Sequence, residues 1–327
     1  MADQRTEDAP DDRSKSRPLA WAQLLAGMTI FGSGTPVSKI VTEGFPVALA
    51  SGGRMLLGAA VLAPVLFLRE RPDFKALTKK DWAVVAGVAV IGMVAFSLAM
   101  LYGMQRVSGV TGSIVMSTTP AITAVGAWLF LGNHLGWRKI AAVICAVVGV
   151  ATLHLAGGAD GGGESGGGGG NGGWMNGILL GGGLILIAVC CEATYTLLGR
   201  VGSDALTPVT LATLSAAAAA ALFLPFALWQ GVSFDWAAPS WRQWAGLAWW
   251  GAGTLALGSA LWYAGVKKVP GSIAAGFMGV MPVSALVLSY VLLNETFRWV
   301  HLLGFGIVFA GVLLIAWAHA RMDMHDD

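Results

Sequence analysis

Apolar residues gather into ten long runs separated by short polar stretches: 19–39, 46–68, 82–105, 109–132, 138–156, 177–199, 207–229, 243–265, 270–293 and 299–319. A helix needs about 20 mostly apolar residues to cross the hydrocarbon of a bilayer, so each run predicts one spanning helix. Trp21, Trp82, Trp137, Trp174, Trp229, Trp244, Trp299 and Trp317 fall near the ends of runs, where amphipathic rings anchor at the interface. Between the fifth and sixth runs lies GGADGGGESGGGGGNGG, residues 157–173, with 12 glycines in 17 positions. Such a stretch is too polar and too costly in entropy to order, and it predicts a flexible linker over 157–176.

The runs fall into two related sets. Adding 162 to a position carries Pro46 to Pro208, Trp82 to Trp244, Met116 to Met278, Pro120 to Pro282, Trp137 to Trp299 and Gly149 to Gly311, with no gap. Two repeats are therefore expected, 19–156 and 177–319, flanked by polar tails at 1–18 and 320–327. Five spans is an odd number, so the second copy must cross the membrane upside down relative to the first. The expected fold is an all-α integral membrane protein of ten transmembrane helices in two inverted five-helix repeats, the plan of many secondary transporters.

Composition agrees. The 327 residues are 56% hydrophobic and 12% charged, against about 25% charged in a soluble domain, and the mean hydropathy is +0.69. A net charge of +2 gives no sign of a nucleic-acid partner. The polar start lacks the apolar stretch and cleavage site of a removable signal peptide. Lys and Arg divide 15 to 4 between alternate inter-span segments, with Arg54 inside a span. The richer side faces the cytoplasm, which puts the protein in the cell membrane with both termini inside and the glycine linker outside. Cys145, Cys190 and Cys191 match neither a disulfide framework nor metal spacing and read as small packing residues.

Several spans gather polar or soft residues on one face. On the fourth these are Ser113, Ser117 and Pro120; on the sixth, Glu192, Tyr195, Thr196 and Gly199; on the eighth, Ser259, Trp262 and Tyr263; on the ninth, Ala274, Met278 and Met281. The third carries Met93, Ser97, Met100 and Met104 at the same kind of spacing. Such faces suit helix packing as well as cavity lining. Arg54 and Glu192 stand apart, since a charge at mid-bilayer costs about 2.5–3.5 kcal/mol or more against lipid. Both must face protein or a watery cavity, near the limit of each other's reach. Arg54 reads as a tie between helix ends or carbonyls, and Glu192 as a partner for a substrate amine or as a proton carrier. Gly32, Gly34 and Pro36 are expected to loosen the first span, and Pro120 and Pro282 to form a matched pair of bends. Lys39 reads as an interface charge, and the lone histidines, His301 among them, as solvated. GSGTP at 32–36 lacks the lysine of a phosphate loop. Neither a catalytic triad nor a zinc motif is visible, so no enzyme chemistry and no cofactor are expected.

Residues 271–315, GSIAAGFMGVMPVSALVLSYVLLNETFRWVHLLGFGIVFAGVLLI, join a small-residue helix, a proline, a leucine-rich run, Asn-Glu and a glycine-spaced last helix. With Phe31-Gly32-Ser33 followed by Lys39, and Arg54-Met55-Leu56-Leu57 on the second span, the chain resembles the ten-helix EamA-type branch of the drug/metabolite transporter superfamily over about 19–319. It departs at Phe31, where tryptophan is usual, and at Asn133, where glutamate is usual. The resemblance implies a central cavity between the halves and Ser33 near it, together with movement of small metabolites, often outward. The expected function is a secondary transporter moving a small polar or amphipathic metabolite, such as an amino acid, by alternating access, with export favoured. Facilitated exchange of a nucleotide-linked or phosphorylated metabolite, and a membrane-embedded enzyme or scaffold, are the alternatives. The partners implied are a small-molecule substrate and membrane lipid.

Overall fold

The computed structural model describes residues 12–131, 137–157, 173–199, 201–203, 206–269 and 271–323, and among these every regular element is helical. The glycine linker, Asn133, His134 and both outer tails fall largely or wholly outside the described residues. The first half holds α1 (Asp12–Gly44), α2 (Val47–Glu70), α3 (Lys79–Met104), α4 (Gly109–Met116), α5 (Thr119–Leu131) and α6 (Trp137–Gly157). The second holds α7 (Gly173–Leu198), α8 (Pro208–Val232), α9 (241–266), α10 (Gly271–Phe277), α11 (Val280–Leu293) and α12 (Trp299–Asp323).

Among the described residues six stretches are long and apolar enough to cross a membrane: Pro18–Gly44, Val47–Glu70, Lys79–Met104, Gly109–Phe130, Leu179–Leu198 and Pro208–Val232. Ile140–Gly149, Val280–Leu293 and Trp299–Leu314 are shorter apolar helices within three of the remaining expected spans. The expected span at 243–265 is helical, but Gln243, Thr254, Ser259 and five glycines make it less apolar. Large apolar side chains lie outward: Leu68, Phe130 and Val232 are 72%, 83% and 89% exposed, as lipid-facing residues would be. Trp82, Trp137, Trp229 and Trp299 near helix ends are exposed too.

The 162-residue spacing reappears in the backbone. Asp81 reaches back to the Thr78 N–H at 2.8 Å, and Gln243, 162 residues on, reaches back to the Ser240 N–H at 2.8 Å. Both helices then widen into π-helical stretches, Val88–Ala95 and Trp249–Gly258. Packing across the halves is reciprocal: α1 lies on α9 and α11, α7 lies on α3 and α5, and α2 pairs with α8 as α6 pairs with α12. In the last pair each half places a glycine against the other's backbone. A Cβ on Gly149 would stand 2.7 Å from the Gly304 carbonyl, and one on Gly311 2.9 Å from the Ala142 carbonyl.

Side chains close the helix ends. Glu295 accepts from the Gly109 and Val110 amides at 2.5 and 2.9 Å, placing a carboxylate at the N-terminus of α4, where the helix dipole favours an anion. Lys39, expected to be an interface charge, instead donates to the Met104 and Val107 carbonyls at 2.7 and 2.9 Å, since the end of α3 leaves them without amide partners. Asp81 is fully buried and also accepts from the Ser203 amide at 2.8 Å and the Ser203 hydroxyl at 2.9 Å. Glu70 accepts from Thr207, the N-cap of α8. His301 is hydrogen bonded to Tyr290 at 3.0 Å, across the connection from α11 to α12, and is not simply solvated.

The expected loosening at Gly32–Pro36 does not appear as a break, and α1 runs continuously through Pro36. Packing on two sides holds it: Gly32 lies under Met281, Ser284 and Ala285 of α11, and Gly34 faces Trp250 and Thr254 of α9. A Cβ on Gly32 would meet the Met281 carbonyl and the Ala285 nitrogen, the latter at 2.9 Å, and backbone cannot rotate aside. Gly32→Ala should therefore lower unfolding free energy by about 1–3 kcal/mol, the usual cost of overpacking. Gly183→Ala, with nothing within 4 Å of its Cβ, should cost nothing. Denaturation in mixed micelles measures both, and equal stability of the two variants would refute the tight α1–α11 seam.

Candidate functional site

Arg54 sits on α2 with its side chain directed between the halves. Its guanidinium stacks on Trp250 of α9 at 4.2 Å and lies 5.5 Å from the Phe96 ring of α3. Nη1 donates to Ser97 Oγ at 3.3 Å, and the buried Nε has no protein acceptor. A cation desolvated against an indole face gains about 2 kcal/mol, which offsets part of its burial cost. Glu192 on α7 takes its short contact from Thr119, whose hydroxyl lies 3.0 Å from Oε2. The two charges feel each other through space, yet each makes its close contacts with neutral groups. They form a pair with no direct bond between them.

Beside Glu192 the fourth expected span is interrupted. Helix α4 ends at Met116, α5 begins at Thr119, and Ser117 and Thr118 turn between them. The equivalent interruption, Met278 and Gly279, separates α10 from α11. Pro120 and Pro282 occupy the first turn of the helix after each break, where a missing amide is least costly. In an unbroken helix the Met116 carbonyl would bond the amide of residue 120, which proline lacks. Hydroxyls take over here: Thr119 Oγ1 lies 2.7 Å from the Met116 carbonyl, Thr118 donates to the Val115 carbonyl at 2.7 Å, and Ser117 to the Ser113 carbonyl at 2.7 Å.

The other candidates divide. Ser33 is nearly buried, donates to the Ile30 carbonyl at 2.6 Å and accepts from Trp249 Nε1 at 2.8 Å, so it joins α1 to α9 next to the Arg54–Trp250 stack. Tyr195 and Tyr263 are close enough to interact electrostatically. Tyr195 packs directly on Gly92, where a Cβ would stand 2.9 Å from its own. Thr196 donates to the Glu192 carbonyl at 3.1 Å. Ser259 is half-buried at the start of the last segment of α9, and the backbone of Trp262 lies against Gly27 of α1. Met278 stands in the second break and is 46% exposed. Ser113 is fully buried, donates to the Gly109 or Ala285 carbonyl and meets Ser289 Oγ at 2.9 Å, so it joins α4 to α11. Ser117 is likewise committed to its own helix.

Thr119, Trp249, Trp250 and Phe96 are absent from the residues singled out by sequence. One signal pointed to the tryptophans: a Trp-Trp pair inside a run, away from the ends where rings anchor. Thr119 looked like any hydroxyl before a proline. Cys190 is exposed and Cys191 buried, as neighbours about 100° apart on α7 can be. No group of three or more His, Cys, Asp or Glu able to hold a metal occurs among the described residues.

An all-helical chain with apolar outer faces, a charged centre between its halves and a broken helix in each half has the character of a membrane transporter. The chain belongs to the EamA-like transporter family, whose pattern it matches twice, over residues 19–155 and 179–317. A Bacillus subtilis protein described as the uncharacterized transporter YetK is 34% identical over 313 residues, covering 95% of this chain and 91% of that protein. A probable terminal-alkyne amino-acid exporter of Streptantibioticus cattleyicolor is 27% identical over 148 residues, 44% of this chain and 47% of that one. A solved crystal structure aligns with a TM-score of 0.57 at 15% identity over 95% of this chain and 99% of its own, a likeness of fold.

If Arg54 and Glu192 stabilise one another across the centre, removing one charge should harm the protein more than its isolated loss implies. Arg54→Gln and Glu192→Gln, with the double variant, should give a coupling energy of about 1 kcal/mol in a double-mutant cycle of unfolding. Strict additivity would mean that the charges are held independently.

Proposed function

We propose that this protein is a secondary carrier for a small zwitterionic metabolite of the amino-acid class, working by alternating access and favouring export. One observation carries the substrate class: two opposite charges, Arg54 and Glu192, held in the protein interior without a direct bond to each other. An unpartnered guanidinium Nε suits a carboxylate, and the Glu192 carboxylate suits an ammonium group. Trp250 and Phe96 around Arg54, with Tyr195 near Glu192, would supply apolar and aromatic surface for a side chain. The partial likeness to a probable amino-acid exporter supports both the class and the direction.

Ten spans in two inverted five-helix repeats complete the reading. The paired sequence match, the reciprocal packing and the recurring breaks support it, and Pro120 and Pro282 then act as equivalent bends on either side of the centre. Both termini lie in the cytoplasm, as the distribution of Lys and Arg supports.

Counterflow of radiolabelled amino acids into liposomes tests the carrier. Wild-type protein should accumulate label transiently when loaded with unlabelled substrate, and Glu192→Gln should reduce this tenfold or more. That is the order of one charge-assisted hydrogen bond of about 1.5–3 kcal/mol. Failure of any zwitterion to drive counterflow would exclude the substrate class, and wild-type flux in the Gln variant would make the acid structural.

Topology has its own test. In a variant whose three cysteines are replaced, Ser165→Cys in the glycine linker should react with a membrane-impermeant thiol reagent in intact cells, and Lys75→Cys only after the cells are opened. The reverse pattern would invert the orientation. Labelling of both from outside would overturn the odd span count.

A further inference from the structure

Thr119 carries one hydroxyl hydrogen but stands at bonding distance from two acceptors, the Met116 carbonyl at 2.7 Å and Glu192 Oε2 at 3.0 Å. A hydroxyl donates once and can accept twice. Both contacts are full, two-centre hydrogen bonds at the same time only if Glu192 carries a proton, donates it to Thr119 Oγ1, and leaves the threonine hydrogen for the carbonyl. With Glu192 ionised, the hydroxyl must choose between a carboxylate and a neutral carbonyl, and the charged acceptor is the stronger. The Met116 carbonyl then loses its donor. It has no amide in reserve, because the residue that would supply one is Pro120.

We infer that Glu192, Thr119 and the Met116 carbonyl form a proton-operated latch on the interrupted span. A proton on Glu192 completes the chain and holds α4 to α5 across residues 117–118, and loss of that proton releases the break. No bond is made or broken apart from the O–H bond of the acid, and the proton leaves to or arrives from water entering the centre. The device belongs to one half, since the residue 162 positions beyond Thr119 is Met281, which has no hydroxyl.

The charged surroundings are few. Of the helices packed on α7, α4 and α5 contribute no ionisable side chain among their described residues. Helix α3 carries Lys79, Lys80 and Asp81 at its start and an exposed Tyr102 near its end. On α7 itself are Cys190, Cys191 and Tyr195, with Tyr263 of α9 interacting with Tyr195. Arg54 of α2 is the cation that Glu192 feels. The latch deepens the carrier reading by giving the central acid a mechanical consequence.

Amide hydrogen exchange of residues 115–123, corrected for the intrinsic pH dependence of exchange, tests it on the intact protein in nanodiscs without substrate. In the wild type, protection should fall about 2- to 10-fold as pH rises through the titration of Glu192, the worth of one hydrogen bond. Glu192→Gln, whose amide donates as the acid does, should stay protected at every pH. Thr119→Val should be weakly protected at every pH, and Thr119→Ser should restore the wild-type profile. A pH-independent wild type, a Glu192→Gln variant that still responds, or a Thr119→Val variant with the wild-type profile would each overturn the latch. If the valine variant does not fold, the serine and glutamine variants decide. Titrating exchange in a protein that shows no counterflow would overturn the carrier and leave the latch; counterflow with pH-independent exchange would do the opposite.

Discussion

A backbone amide or carbonyl inside an apolar layer must find a partner within the protein, because lipid offers none. That constraint organises this structure more than any single contact does. At several helix ends and at the first break, side chains supply what the backbone lacks. Lys39 of α1 serves the carbonyls at the end of α3, Glu295 serves the amides that open α4, and Ser117, Thr118 and Thr119 serve the carbonyls around the first break. Most polar residues of the expected spans are therefore in use as backbone partners, Ser113 and Ser33 included.

The two ends of the bundle are tied by different chemistry. On one, the carboxylates Asp81 and Glu70 hold Ser203 and Thr207, fixing the approach to α8 against the starts and ends of α3 and α2. On the other, Glu295 binds backbone amides across the halves, while Lys39 and Arg242, which donates to the Leu292 carbonyl, bind backbone within their own halves. Between these clasps, contacts of Ser33 with Trp249, Arg54 with Trp250 and Thr119 with Glu192 join the halves, and the two charges are not bonded to each other.

The helical architecture was legible in the chain because hydrophobic run length and Lys/Arg placement are local quantities. The 162-residue repeat was legible too, since matched prolines, tryptophans and glycines mark matched backbone features. It reappears in the paired Asp81 and Gln243 contacts and in the π-helical stretches of α3 and α9. Arg54 and Glu192 stood out because an ion in a span is costly wherever it points. The hydroxyl residues could not be sorted in the same way. Ser113 and Thr119 have the same kind of donor, and only their neighbours make one a seam between helices and the other a partner of a buried acid.

The sequence by itself determined that the chain is helical, membrane-embedded and duplicated, and that two charges must be sheltered, since burial cost and periodicity depend on residue type alone. The tertiary structure decided who shelters them. It set Arg54 on Trp250, contributed by the other half, and kept α1 continuous through Pro36 by packing helices on both sides. It brought Thr119 to Glu192 across 73 positions of chain. Such pairings depend on how helices from distant segments cross, and spacing along one helix carries no record of what the facing helix presents.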